Sequence, residues 1–239
     1  MTHVKQVEAF ERLVTFCTGY GGSYNPGRPT LQIDALQNQL IEVKSAIEKA
    51  KLARTEFDSE VNQRKQAFDK LPRLLSGIML TLEASGAKPE KLEDARSFVH
   101  QITGSSRKNR KPIPAKKPEK PAIQRSHLQL AYVSKADTFS KLVKTVLSEP
   151  LYQPHEKTFS VAGLESKVAE LHQLNRQTAD ARGKWRKVLV ERNRIMYAAD
   201  GSLTESARAV KKYVRAIYGH DSQEYALVKV LDFKKPKNR

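Results

Sequence analysis

The sequence predicts an all-α chain of two tandem related helical units, each with one long helix of about forty residues plus shorter helices. Three observations carry that prediction. From Thr30 to Leu71 there is neither Gly nor Pro, and apolar residues recur at alternating steps of three and four: Ile33, Leu36, Leu40, Val43, Ile47, Ala50, then Phe57, Val61, Phe68 and Leu71. That spacing is the seam of a helix packed lengthwise against another. The chain also matches itself at a shift of 128 to 129 residues. A proline-punctuated basic stretch separates the two copies.

The self-match has detail. Phe10, Leu13 and Val14 return as Phe139, Leu142 and Val143, and Tyr24 and Pro26 return as Tyr152 and Pro154. Leu31, Ile33, Leu36, Leu40 and Val43 return as Phe159, Val161, Leu164, Val168 and Leu171. Ala53, Arg54, Phe57, Val61 and Arg64 return as Ala181, Arg182, Trp185, Leu189 and Arg192. Apolar matches alone arise readily between helical heptads; the Tyr-x-Pro punctuation and the paired arginines do not.

The divisions expected are a helical unit over 1–104, a linker over 105–127, a second unit over 128–233 and a basic tail over 234–239. In the first unit a short helix over about 4–17 is stopped by Gly19, Gly21 and Gly22, with Thr30 as N-cap of the long helix. Forty residues at a rise of ~1.5 Å make a rod of about 60 Å. Pro72 marks a new first turn, Gly86 ends a third helix, and a fourth runs from Pro89 to Gly104. In the second unit the short helix is expected over about 135–148 and the long one over about 158–198. Ser202 and Glu205 form a capping box, Gly219 ends the next helix, and Ser222 caps a last short one unless Leu227–Leu231 is extended instead. The long seams need cover. Packing the two long helices antiparallel is the economical solution; a separate bundle per unit, or association between chains, are the alternatives.

Composition bounds function. The 239 residues carry a formal charge of +17, which favours polyanions such as nucleic acid or acidic lipid. Hydrophobic content of 39% suits helix pairs that bury one stripe each rather than a thick core. Cys17 is the single cysteine, so no disulfide forms within the chain, and it reads as a small buried hydrophobe in a reducing compartment. No apolar stretch is long enough to span a membrane and no signal peptide is evident, so the cytoplasm is expected.

The linker from Ser105 to Ser126 holds eight Lys/Arg against one Glu and cannot bury enough apolar surface to offset its ordering entropy. Its Arg107, Lys108, Arg110, Lys111, Lys116 and Lys117, with Lys234, Lys235 and Lys237 of the tail, are candidate phosphate contacts. Within a folded unit the candidates are Lys184, Arg186 and Lys187, beside Arg194. Trp185 among them either stacks on a base or, as the match of Phe57, belongs to the seam. Arg54, Arg64, Arg182 and Arg192 fall on the seam itself. A buried guanidinium needs partners; acids on the facing helix such as Glu42 and Glu170 are the structural choice, a shared anion site the functional one, and exposure at the seam edge the third.

Chemistry is harder to find. Gly22 to Gly27 has the outer spacing of a phosphate loop, but Arg28-Pro29 replaces its Lys-Ser/Thr and no strand precedes it. The histidines show no Glu-x-x-His or His-Glu-x-x-His pattern, and no nucleophile motif occurs. The expectation is a non-enzymatic binding or scaffold protein with no cofactor and no metal. Its partner is nucleic acid or another polyanion; the alternative is recognition of another protein, or self-association, through the long helices.

Leu82-Glu-Ala-Ser-Gly86-Ala87, Glu93-Asp-Ala-Arg-Ser97 and Ile102-Thr-Gly104 resemble a family of uncharacterised bacterial all-helical proteins with two tandem related units. So do Leu151-Tyr152-Gln-Pro154, Arg192-Asn193, Tyr197, Val210-Lys-Lys-Tyr-Val214, Tyr218-Gly219, Ser222 and Tyr225. The chain departs from that pattern at His155 and at Gly104-Ser-Ser-Arg107. The resemblance implies the architecture and no activity, and it assigns no functional residue.

Overall fold

A computed structural model describes residues 3–104 and 121–234, with side chains outside the description over 121–130. The described residues are helical, with no strand among them: α1 (His3–Gly19), α2 (Ile33–Asp69), α3 (Leu71–Ala84), α4 (Pro89–Thr103), α5 (Pro121–Leu147), α6 (Val161–Tyr197), α7 (Leu203–Tyr218) and α8 (Gln223–Lys229). No helix among the described residues is long and apolar enough to cross a membrane.

The chain divides into two compact units, Met1–Phe57 with Arg182–Arg239, and Asp58–Ala181. This partition differs from the expected 1–104 and 128–233. The cuts fall inside α2 and α6, because different short helices cover the two ends of each long seam. In the first unit, Phe10, Leu13 and Val14 of α1 pack with Leu36 and Val43 of α2 and with Met196, Leu203, Val210 and Val214. In the second, Phe68, Leu75, Ile78 and Leu82 pack with Phe139, Leu142, Leu164 and Leu171. Phe10 and Phe139 are both fully buried, each worth about 1.5–3 kcal/mol of transfer free energy.

Three local expectations need correction. Thr30 does not cap α2. It lies in a 3₁₀ turn over Pro29–Leu31, and Gln32 is extended before the helix starts at Ile33. The Tyr24 hydroxyl donates to the Leu31 carbonyl at 2.8 Å, holding that oxygen outside the helical ladder. Secondly, α5 begins at Pro121, so 121–127 of the expected linker are helical, while 105–120 lie outside the described residues. Proline is compatible with a helix start, where its missing N–H would be unpaired in any case. Thirdly, only half of the capping box forms. Glu205 N–H donates to Ser202 Oγ at 3.3 Å, but the Glu205 carboxylate turns to Arg28.

The last helix settles the open alternative at 227–231, since α8 runs to Lys229. Seven residues are too few to stand alone, and it is tied down. Ser222 Oγ accepts from Tyr225 N–H, and Tyr20 Oη donates to the Glu224 carbonyl. Lys211 Nζ of α7 donates to the Lys229 and Leu231 carbonyls at 2.9 and 2.7 Å, supplying the cation a helix C-terminus favours.

Gly77 of α3 is a close-approach position. A Cβ there would come within 2.5 Å of the Phe159 ring. Gly77→Ala is therefore expected to destabilise the chain by about 1–2 kcal/mol despite the better helix propensity of alanine, and Phe159→Leu in the same chain to recover much of the loss. Urea unfolding of the single and double variants checks this; an alanine variant as stable as the parent would contradict it.

Candidate polyanion-binding surface

α7 has a clean division of faces. Leu203, Ala207, Val210 and Val214 are buried, at steps of four, three and four. On the other side Arg208, Lys211, Lys212 and Arg215 follow at three, one and three, with no acid between Ser206 and Tyr218. Arg208, Lys212 and Arg215 are exposed, whereas Lys211 is committed to the α8 carbonyls and burial holds its ammonium below the ordinary lysine range. These cations were missed in the sequence because helical spacing spreads them out. The signal that finds them is the period of 3.6, not a contiguous run.

A cleft of ≈ 590 Å³ opens beside this face, lined by Arg28, Tyr197, Ala198, Ala199, Thr204, Glu205, Arg208, Ala209 and Lys212. Arg28 Nη1 and Nη2 donate to the two Glu205 oxygens at 2.9 and 3.4 Å, a forked pair that fixes the guanidinium at the cleft edge. The Tyr197 hydroxyl is 2.7 Å from His3 Nδ1. Burial and the nearby Arg192 charge both hold His3 below the ordinary imidazole range.

The expected cations of α6 are accessible. Lys184, Arg186 and Lys187 are exposed, and Lys184 Nζ meets Glu56 at 3.2 Å. Trp185 is half-buried and stacked on Phe57, with ring centroids 5.5 Å apart and planes 12° from parallel. The Arg54 guanidinium lies 4.5 Å from the Trp185 centroid and 5.9 Å from that of Phe57. Arg194 forks onto Glu191 within its own helix. Of the tail, Lys234 lies 3.2 Å from Asp232. Arg107, Lys108, Arg110, Lys111, Lys116, Lys117, Lys235 and Lys237 lie outside the described residues.

The seam arginines do not share one site. Arg54 and Arg182 are half-buried in the first compact unit. Arg192, also half-buried there, donates to the neighbouring Asn193 side chain. Arg64 belongs to the second unit, is 5% exposed, and lies 4.4 Å over the Tyr132 ring. Glu170, expected to face a seam arginine, pairs with Lys167 instead at 2.9 Å, a short-range contact that costs less ordering. Around Arg64 lie further polar groups of α2 and α6. Thr178 Oγ1 donates to the Glu60 and Leu174 carbonyls and Asn175 Nδ2 to the Tyr132 carbonyl, while Glu60 Oε2, Arg64 Nε and Asn175 Oδ1 find no hydrogen-bond partner among the described residues. Burial lowers the Arg64 guanidinium from its ordinary range, and Tyr132 works the other way. Cys17 is fully buried; burial pushes its thiol up to about 12, so it is no nucleophile at neutral pH. No group of three or more metal-ligating side chains occurs among the described residues.

Because a buried guanidinium with an unmet donor carries a desolvation cost, Arg64→Met is expected to match or exceed the parent in stability by up to about 1 kcal/mol. Arg64→Ala, which removes the stem from the Tyr132 ring, is expected to cost about 1–3 kcal/mol. Urea denaturation orders the three chains; a methionine variant as weak as the alanine one would show that the charge itself stabilises.

Comparison of the chain with protein-family models, with curated proteins and with solved structures finds no match.

Proposed function

We propose that the protein is a non-enzymatic helical binding protein that holds nucleic acid by its phosphate backbone, without reading sequence. The observation that carries this reading is the solvent face of α7, where three exposed cations stand with no acid among them. The exposed Lys184, Arg186 and Lys187 of α6 and the net charge of +17 add to it. Each cation placed on a phosphate releases condensed counterions, so affinity comes with steep salt dependence. Phosphate contacts position a strand and carry no sequence information.

We infer further that the chain is a tandem duplication whose long helices run antiparallel, so that each compact unit joins the first half of one copy to the second half of the other. Several observations support this. α2 and α6 have the same length, 37 residues, and start 128 positions apart. Tyr24 donates to the carbonyl seven residues on, and so does its match Tyr152, to Phe159 at 3.0 Å. Leu36 and Leu164 are both fully buried, as are Val43 and Leu171. Gln39 of α2 bonds the Gly201 carbonyl just beyond α6, and Glu56 bonds Lys184, so partner numbers fall as residue numbers rise. At Glu56–Lys184 and Phe57–Trp185 each residue meets its own match, the self-complementary pattern of two like helices about a local two-fold.

Fluorescence anisotropy with a labelled random-sequence strand and its duplex tests the functional reading. Affinity is expected to fall on the order of a hundredfold between about 50 and 200 mM salt, and R208E/K212E/R215E to flatten the log–log slope by roughly one unit per lost contact. Salt-independent binding, or a slope the triple variant leaves unchanged, would count against it.

A further inference from the structure

We propose that the cleft beside α7 is a binding site for one phosphate group carried on a ring-bearing ligand of nucleotide size. The site stands on its own geometry and does not depend on the backbone-binding reading. Its ≈ 590 Å³ falls within the range of small-molecule sites and is far more than a bare phosphate fills. Its walls are of two kinds.

One wall is cationic. Arg208 and Lys212 stand one turn apart on the same face of α7, a spacing that lets both side chains reach a single anion. Arg28 faces them from the loop before α2, and Glu205 is the only acid among the lining residues. That carboxylate is occupied: its two oxygens accept from Arg28, at 2.9 and 3.4 Å. The forked pair leaves the other guanidinium donors of Arg28 for a ligand and removes the freedom that binding would otherwise have to freeze. With three cations against one engaged acid, the cleft favours an anion.

The other wall is small and apolar. Ala198 and Ala199, just past the end of α6, and Ala209, between Arg208 and Lys212 on α7, project only methyl groups and so leave space for a ring. Tyr197 contributes an aromatic edge, held in place through its hydroxyl at 2.7 Å from His3 Nδ1. Three cations, three alanines and the Tyr197 ring in one cleft fit a nucleoside monophosphate, free or as the 5′-phosphorylated end of a strand. Both sources share the phosphomonoester that the cations would hold.

Isothermal titration of the full chain tests this with AMP, adenosine, inorganic phosphate, and one short strand in 5′-phosphorylated and 5′-hydroxyl forms. AMP is expected to bind and adenosine not to, with inorganic phosphate weaker than AMP. R208Q/K212Q is expected to weaken AMP by about tenfold or more while circular dichroism stays unchanged. If the phosphorylated strand outcompetes AMP, the source is a strand end; if AMP outcompetes it, the source is a free nucleotide. Adenosine binding as well as AMP, an R208Q/K212Q chain that binds AMP like the parent, or failure of both AMP and the phosphorylated strand overturns the site. Salt-dependent binding of unphosphorylated strands that persists while AMP fails removes this site and leaves the backbone-binding reading standing.

Discussion

Two helices of 37 residues, each with a lengthwise apolar seam, cannot stand uncovered in water, and most of the structure follows from how that seam is buried. At its start, α2 is covered by α1 and by the α6–α7 corner, with Leu36 and Val43 in one cluster with Met196, Leu203 and Val210. Toward its end, Phe68 joins a different cluster, with Leu75, Phe139 and Leu164. One continuous helix therefore serves two cores.

Two seam guanidinium groups lie over aromatic rings, Arg54 on Trp185 and Arg64 on Tyr132. A planar guanidinium sheds water more easily than an ammonium and gains roughly 0.5–2 kcal/mol from a ring face. On α7 the arrangement follows from its amphipathic period: once Leu203, Ala207, Val210 and Val214 are buried, Arg208, Lys212 and Arg215 fall on the opposite, exposed face. Surface charge and core packing are thus two consequences of the same helical repeat.

Several helix ends were legible in the residues. Pro72, Gly86, Gly104 and Gly219 act locally, and so does the Ser202 cap, so each can be read without knowing the fold. The division into compact units was not legible. Matching residue patterns point to segments that are alike, whereas packing joins segments that fit, and 1–57 groups with 182–239. Thr30 misled because the 3₁₀ turn it lies in is tied to Tyr24, whose hydroxyl donates to the Leu31 carbonyl. Glu170 misled because a nearby lysine, Lys167, was a cheaper partner than an arginine across the seam. The α7 cleft escaped notice because Arg28 and Arg208 are 180 residues apart in sequence and adjacent only once Glu205 brings Arg28 to α7.

The side-by-side pairing of α2 with α6 within one chain is the claim on which the rest stands, and zero-length carbodiimide cross-linking of the unaltered protein, read by mass spectrometry on the monomer, tests it most directly. Glu56 and Lys184, 3.2 Å apart between Oε1 and Nζ, are expected to join within one chain, alongside Lys44 with Glu11 at 2.6 Å. Recovery of the local Lys167–Glu170 link with neither of those, or with Glu56–Lys184 found only between chains, would contradict the account.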